Sequence, residues 1–549
     1  MSAELPEADR LHELINDSRP FGPIDTDTLI QADYPGLAQF FDRKNLVYTQ
    51  STHHPRYNYI VGRKGAGKTA FLAAEQICGA ACMTETLRTA SLYAEMLATL
   101  NSYAEHRGTH LFVDDVADLW RSLLDHVALA HVCRTATVRD PAEIQEIWDY
   151  LDLRGADIPS AETVAEDFLG EVQRRIREPE RIGIRNVLVG YEAERQRFES
   201  VRHSLEKVLE ARSSRMLIVM DNLEELHARM DELREVLAGL FACAGRLSEQ
   251  ASTGRYYQLR VCLPTEFLAS IMSLSSNPEK DFRDNYLTIY WTAKELLHLA
   301  GRRLRLYLET QHPEQLSSLM RTHPEILPGS EQCEVALLRA TLPPVVVGDL
   351  GVEEDPVAYI LRHTQLLPRH ILQILNGVYS SRGESLPWRV APDAVLAGTH
   401  DVEERINRGI LTAHPDSQWV GVVLTKLANR LEITFQARQL HKYFNQQGIK
   451  KATGRDFSEC VAQLSRMGIL GLHTERTARY CEGEFQYTTD ATLPIHEESS
   501  ELCVHPLFSR LLYSASFDRL RDQSALPVYP RGSDPLSADY RGTLGYDLI

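Results

Sequence analysis

The stretch GRKGAGKT, Gly62 to Thr69, carries residue types and a spacing suited to cradling a chain of phosphates. Gly62, Gly65 and Gly67 let the backbone turn tightly, so that successive N–H groups face one concavity. Gly62, Gly65, Ala66, Gly67, Lys68, Thr69 and Ala70 are the expected nucleotide contacts. The Lys68 ammonium would reach the terminal phosphates of a triphosphate, and the Thr69 hydroxyl would ligate Mg²⁺. A plain glycine-rich turn is the alternative. The flanks argue against it: YNYIV before the motif is aromatic and β-branched, as a buried strand is, and TAFLAAEQICGA after it has helical apolar spacing. A helix beginning at the loop adds the positive end of its dipole to the cradle.

Such a loop needs an acid on a neighbouring strand to hold the metal. RMLIVMDNLEEL supplies Asp221 at the end of an apolar run, where parallel sheets bind ligands. Asp221 and Thr69 are the expected metal ligands. Glu224 is the first choice to polarise an attacking water, with Glu225 beside it, although both could simply open the following helix. The next apolar strand, YQLRVCLPTEF, ends at Thr265, which could contact the γ-phosphate or the water; a simple strand terminus reads as well, and Pro264 and Glu266 make this end unusual. Arg283, before the strand that follows, could act as a finger toward a neighbouring subunit's nucleotide. Lys280 rivals it, and a surface ion pair is the plain alternative.

In this order (Walker A GRKGAGKT, Walker B LIVMDNLEE, the strand RVCLPTEF, then IYWTAKELLHLAGRRL and LLPRHILQILN) the chain resembles bacterial P-loop ATPases of the AAA+ class, in the branch of origin-recognition and STAND-type ATPases. The resemblance runs from about Phe21 to about Tyr513. It implies an α/β fold: a P-loop parallel-sheet core with a helical insertion, an α-helical lid and a C-terminal winged helix. It implies ATP and Mg²⁺ as ligands, and a sensor arginine opening a lid helix, the position matched by Arg369 in LLPRHIL. Two departures touch the reaction. A second acid often follows the Walker B aspartate in this group, and here Asn222 stands there. The polar sensor position reads Pro264-Thr265. Binding is hardly affected; fast hydrolysis is put in doubt.

These residues need elements to position them. The expected organisation is an N-terminal segment (1–45), a P-loop core (46–295) with a helical insertion over about 85–205, a helical lid (296–405), a winged helix-turn-helix (415–515) and a loose tail (516–549). Within the insertion, Leu119, Trp120, Leu123, Leu124 and Val127 recur at helical spacing and read as core. Near the C-terminus, helices over QWVGVVLTKLANRL, TFQARQLHKYFNQQG and TGRDFSECVAQLSRMG precede two strands, ILGLHT and EFQYT. This module is locally basic. Arg455 and Arg466 on its third helix could contact DNA, and a protein-docking role reads equally well.

The bulk numbers frame the rest. At 549 residues the chain is too long for one core, about 150 residues per domain being usual. Its net charge of −17 repels nucleic acid and anionic membranes at long range, so DNA contact needs a local basic face. Nine scattered cysteines without CxxC pairs read as buried thiols in a reducing cytosol. No signal peptide opens the sequence and no apolar run approaches the ~18 residues of a membrane helix, so a cytoplasmic protein is expected. The leading expectation is an ATP hydrolase of slow turnover that works as a nucleotide-dependent switch, through a homo-oligomer or a protein effector; the resemblance suggests bacterial stress response or antiviral defence. The alternatives are a DNA-binding AAA+ motor or loader and a small-molecule kinase.

Overall fold

A computed structural model of the chain describes residues 7–31, 37–40, 58–78, 82–137, 140–151, 159–178, 187, 192–212, 215–221, 223, 229, 231–251, 257–274, 285–329, 332–380, 389–414, 418–488, 493, 495 and 499–534. Two compact units emerge. One spans 46–64 and 68–289; the other takes Met1–Asn45, Gly65–Gly67 and Tyr290–Ile549.

The first unit is built on a parallel sheet. Its strands are β1 (Tyr59–Gly62), β2 (Cys82–Arg88), β3 (Arg215–Asp221), β4 (Gln258–Pro264) and β5 (Tyr286–Thr288), in the spatial order β2-β3-β4-β1-β5. Every neighbouring pair is parallel. The order follows from composition. β1 and β4 are buried along their whole length, and β3 is buried from Met216 to Asp221, as interior strands covered on both faces must be. β5 alternates and exposes Tyr286, which suits an edge.

Between β2 and β3 the chain runs through helices Thr89–Arg107, Val113–Arg134, Glu143–Leu151, Ala161–Ile176 and Glu192–Arg212. Ser160 caps one of them, accepting the Thr163 N–H at 3.2 Å. Leu119, Trp120, Leu123, Leu124 and Val127 are wholly buried in the hydrophobic core of this unit. The Trp120 indole donates to the Val236 carbonyl at 2.9 Å, so its one polar atom is satisfied. That stripe is therefore core, as its spacing indicates.

The second unit begins with helices Glu7–Leu14 and Thr26–Gln31. They are held by residues far along the chain. The Phe21 N–H donates to Asn376 Oδ1 at 2.8 Å, and the Asn376 amide returns a bond to the Gly22 carbonyl at 3.0 Å. The buried Arg303 guanidinium donates to the carbonyls of Phe21 (3.0 Å) and Pro23 (2.8 Å). Next comes a helical layer: Ala293–Gln311, Pro313–Thr322, Cys333–Thr341, Pro356–Arg362, Pro368–Ser380 and Pro392–Ala413. Thr292 and Glu295 form a reciprocal capping box at its first helix. A short hairpin of β6 (Val346–Val347) and β7 (Glu353–Glu354) interrupts the layer.

The C-terminal module has helices Gln418–Leu427, Ala437–Gln446, Ile449–Thr453 and Phe457–Arg466 against a mixed sheet. The strands are β8 (Thr434–Gln436), β9 (Leu470–Arg476), β10 (Cys481–Glu484), β11 (Glu501–Val504) and β12 (Val528–Pro530), ordered β12-β10-β9-β11-β8. β9 and β10 form a hairpin where two strands were expected over ILGLHT and EFQYT, with a correction. Its second strand is Cys481–Glu484, and Gln486–Thr488 is a 3-10 turn rather than part of a strand over EFQYT. The expected loose tail from 516 is also corrected over its first half. Phe517–Asp522 is helical, and β12 pairs in parallel with β10 because Val528 to Pro530 are apolar and buried. Residues 535–549 lie outside the described residues. Among the described residues Cys133, Cys243, Cys262, Cys333, Cys460, Cys481 and Cys503 are buried thiols outside any disulfide. Among the described residues no helix is long and apolar enough to cross a membrane.

One buried acid marks the helical layer. Glu403 lies 3.4 Å from the His363 ring. Burial pushes its carboxyl up to about 8, against the opposing pull of the Arg510 charge. Burial, with the nearby Arg362 charge, holds His363 well below its ordinary range, so the pair is neutral near pH 7. The folded state thus binds a proton that the unfolded chain releases above its ordinary pKa of 4.5. Stability from this group is full below that value and is lost as pH rises toward about 8. Thermal unfolding of Glu403→Gln across this window should show a flatter pH dependence than the parent, with the variant gaining relative stability at the alkaline end.

Candidate nucleotide site

The apolar β1 delivers the chain to the loop, and the helix Lys68–Cys78 leaves it. Gly65 and Gly67 have φ of 90° and 92°, a region that disfavours any side chain. Lys68 is 6% exposed. Its ammonium donates to the carbonyls of Gly62 at 3.0 Å and Arg63 at 3.4 Å, which braces it against the start of the loop. Gly62 and Ala66 are buried, while Ala70 is half-buried.

Asp221 closes β3 and is 7% exposed. The Thr69 hydroxyl donates to its Oδ2 at 2.6 Å. The structure thus brings together the two residues expected to ligate a metal. Hard oxygen ligands of this kind suit Mg²⁺, which typically takes one or two protein ligands and completes its octahedron with phosphate oxygens and water. Among the described residues there is no group of three or more His, Cys, Asp or Glu that could hold a metal ion.

The tip of the loop belongs with the second unit. Arg369 is the second residue of the helix Pro368–Ser380. Its backbone N–H lies 3.5 Å from the Gly65 carbonyl. A Cβ on Gly65 would sit 3.1 Å from the Arg369 Cβ, a tight contact that adds to the cost of the positive φ. The Trp291 indole donates to the Ala66 carbonyl at 2.8 Å. Asp25 completes this group. Burial would raise its carboxyl, but the Thr28 hydroxyl and N–H, and the Arg369 charge, together hold it below the usual carboxylate range.

At the end of β4 the chain passes into a 3-10 turn, Thr265–Phe267. Gly62 is in register with Pro264, which sets the next residues of β4 beside the start of the loop. Thr265 is exposed, and it is Glu266 that meets the loop, accepting the Lys64 N–H on Oε1 at 3.0 Å. Glu266 and Trp291 are contacts the motifs did not assign. An acid directly after the strand was the one signal for Glu266; nothing in the sequence singled out Trp291. Glu224, Glu225, Arg283 and Lys280 lie outside the described residues, as does Asn222.

Arg455 and Arg466 sit at opposite ends of the helix Phe457–Arg466 and are both exposed. Arg455 lies 3.8 Å from Glu459 and 5.9 Å over the Trp419 ring. Lys450 pairs with Asp456 on the same face.

No family model matches the chain. No curated protein matches its sequence. Two solved structures are similar in outline. The Aeropyrum pernix ORC1 protein in complex with DNA is 12% identical, over 89% of this chain and 97% of that one, with a TM-score of 0.30. Drosophila ORC bound to DNA is 10% identical, over 94% of this chain and 95% of that one, with a TM-score of 0.27. Neither likeness carries weight for the site, which stands on its own geometry.

Gly65→Ala should destabilise the loop by about 1–2 kcal/mol through its positive φ alone. Gly409→Ala is the control, because a Cβ there meets nothing within 4 Å. Thermal unfolding should fall for the first and hold or rise for the second, and nucleotide titration should weaken only for the first.

Proposed function

We propose that the chain is a P-loop protein that binds ATP with Mg²⁺ and uses the nucleotide as a conformational switch, with hydrolysis resetting it. The observation that carries this reading is the Thr69–Asp221 hydrogen bond at 2.6 Å, set beside a buried, carbonyl-braced Lys68. A chance glycine turn has no reason to place a hydroxyl at a helix start against a carboxylate at the end of a separate strand.

In this reading the loop N–H groups and the helix start bind the phosphates, and Lys68 neutralises charge on the terminal pair. Thr69 and Asp221 would hold Mg²⁺, which polarises the γ-phosphate when bound. Arg369 would sense the γ-phosphate: its helix begins at the loop tip, so occupation of the loop bears on the helix directly. The core, lid and winged-helix division of the chain is part of the same proposal, as are an oligomeric or effector-bound active form and a cytoplasmic setting.

The DNA-loading alternative draws on the basic C-terminal module. Its cations are partly spent on local acids, Lys450 on Asp456 and Arg455 on Glu459, so the switch reading is preferred. A kinase reading is distinguished by product: free phosphate marks hydrolysis, a phosphorylated metabolite marks transfer.

Lys68→Ala should abolish ATP binding in a calorimetric titration. Asp221→Ala should retain weak binding and lose Mg²⁺-dependent phosphate release. Arg369→Ala should bring the affinities for ATP and ADP together; an unchanged ratio would remove the sensor role. ATP binding by Lys68→Ala at parental affinity would sink the whole reading.

A further inference from the structure

Glu266 is the described acid that touches the phosphate loop without serving the metal pair. Its Oε1 is fixed by the Lys64 N–H at 3.0 Å. Its Oε2 is buried and has no hydrogen-bond partner among the described residues. A buried carboxylate oxygen left in this way is costly and calls for a partner that those residues do not supply. We propose that the partner is water, and that Glu266 is the catalytic base that holds the nucleophile for γ-phosphate hydrolysis. This rests on the ATP-binding reading above.

Three considerations support the assignment. The anchor on Oε1 fixes the carboxylate, so the second oxygen is a preorganised acceptor rather than one of many rotamers. The register that sets Pro264 against Gly62 fixes Glu266 to the start of the loop through the sheet itself, not through a mobile surface segment. A carboxylate close to a γ-phosphate would be repelled by it, whereas a water between the two satisfies both. Asp221 cannot serve: its Oδ2 is committed to Thr69, the metal side of the site. Thr265, the polar residue at the strand end, is exposed and leaves this place to its neighbour.

The step balances without another reagent. The water oxygen forms a bond to the γ-phosphorus as the bond from that phosphorus to the β,γ-bridging oxygen breaks. The bridging electron pair leaves with ADP. The water proton passes to Glu266 and from there to the released phosphate or to solvent.

The test compares the full-length parent and Glu266→Gln in ATP titration and phosphate release, with Lys68→Ala as the control for the ATP reading. The glutamine at 266 keeps an acceptor for the Lys64 N–H and loses the base. ATP affinity and thermal stability should stay close to parental, while turnover falls at least about 100-fold. Parental turnover in Glu266→Gln would overturn the proposal, as would a fall in affinity matching the fall in turnover, or a parent that binds ATP and releases no phosphate. If the parent and Lys68→Ala bind ATP alike, the nucleotide reading itself fails, a result distinct from those three.

Discussion

The hydrogen bond from the Thr69 hydroxyl to Asp221 is the contact on which the site depends. Thr69 starts a helix and Asp221 ends a strand, and β4 lies between β3 and the strand that feeds the loop. Only a parallel sheet brings these termini to one edge, because parallel strands present all their C-terminal ends on the same side. The apolar content of β1, β3 and β4 therefore does more than fill a core. It forces those strands into the interior of the sheet, where their ends converge.

The charged groups of the loop, and of the helix that begins at its tip, have partners within their own units. The Lys68 ammonium is buried on backbone carbonyls. Arg369 has Asp25 within its electrostatic reach, and the Asp25 carboxyl is occupied in turn by Thr28. Asp221 is committed to Thr69. The loop tip itself is handled through backbone atoms, the Ala66 carbonyl by Trp291 and the Gly65 carbonyl by the Arg369 N–H. Small shifts of those carbonyls on phosphate binding would be felt by the helices that begin at Thr292 and Pro368, which gives the switch a physical route within one unit.

The legible parts of the molecule were those whose signal is local. The loop, its flanking strand and helix, the Asp221 strand end and the Leu119–Val127 stripe each state themselves within one window of sequence. What escaped needs distant partners. Glu266 acquires its role from the register between Gly62 and Pro264, which no local pattern reveals. The N-terminal segment is fixed by Arg303 and Asn376, hundreds of positions away. The strand Val528–Pro530 sits in a stretch whose prolines and glycines read as tail, yet it completes a sheet by pairing with β10. The second strand of the β9–β10 hairpin was misplaced for a related reason: the aromatic run at 485–488 looks more strand-like than Cys481–Glu484, but the pairing with β9 selects the earlier residues.

The most direct measurement replaces Mg²⁺ by Mn²⁺ and follows the free Mn²⁺ signal by electron paramagnetic resonance as protein is added. With ATP present, one equivalent of protein should bind one of Mn²⁺ as a complex with the nucleotide, and Asp221→Asn should release most of it. Equal Mn²⁺ retention by the parent and Asp221→Asn, or no effect of either protein on the Mn²⁺–ATP signal, would contradict the metal-bridged triphosphate at the centre of this account.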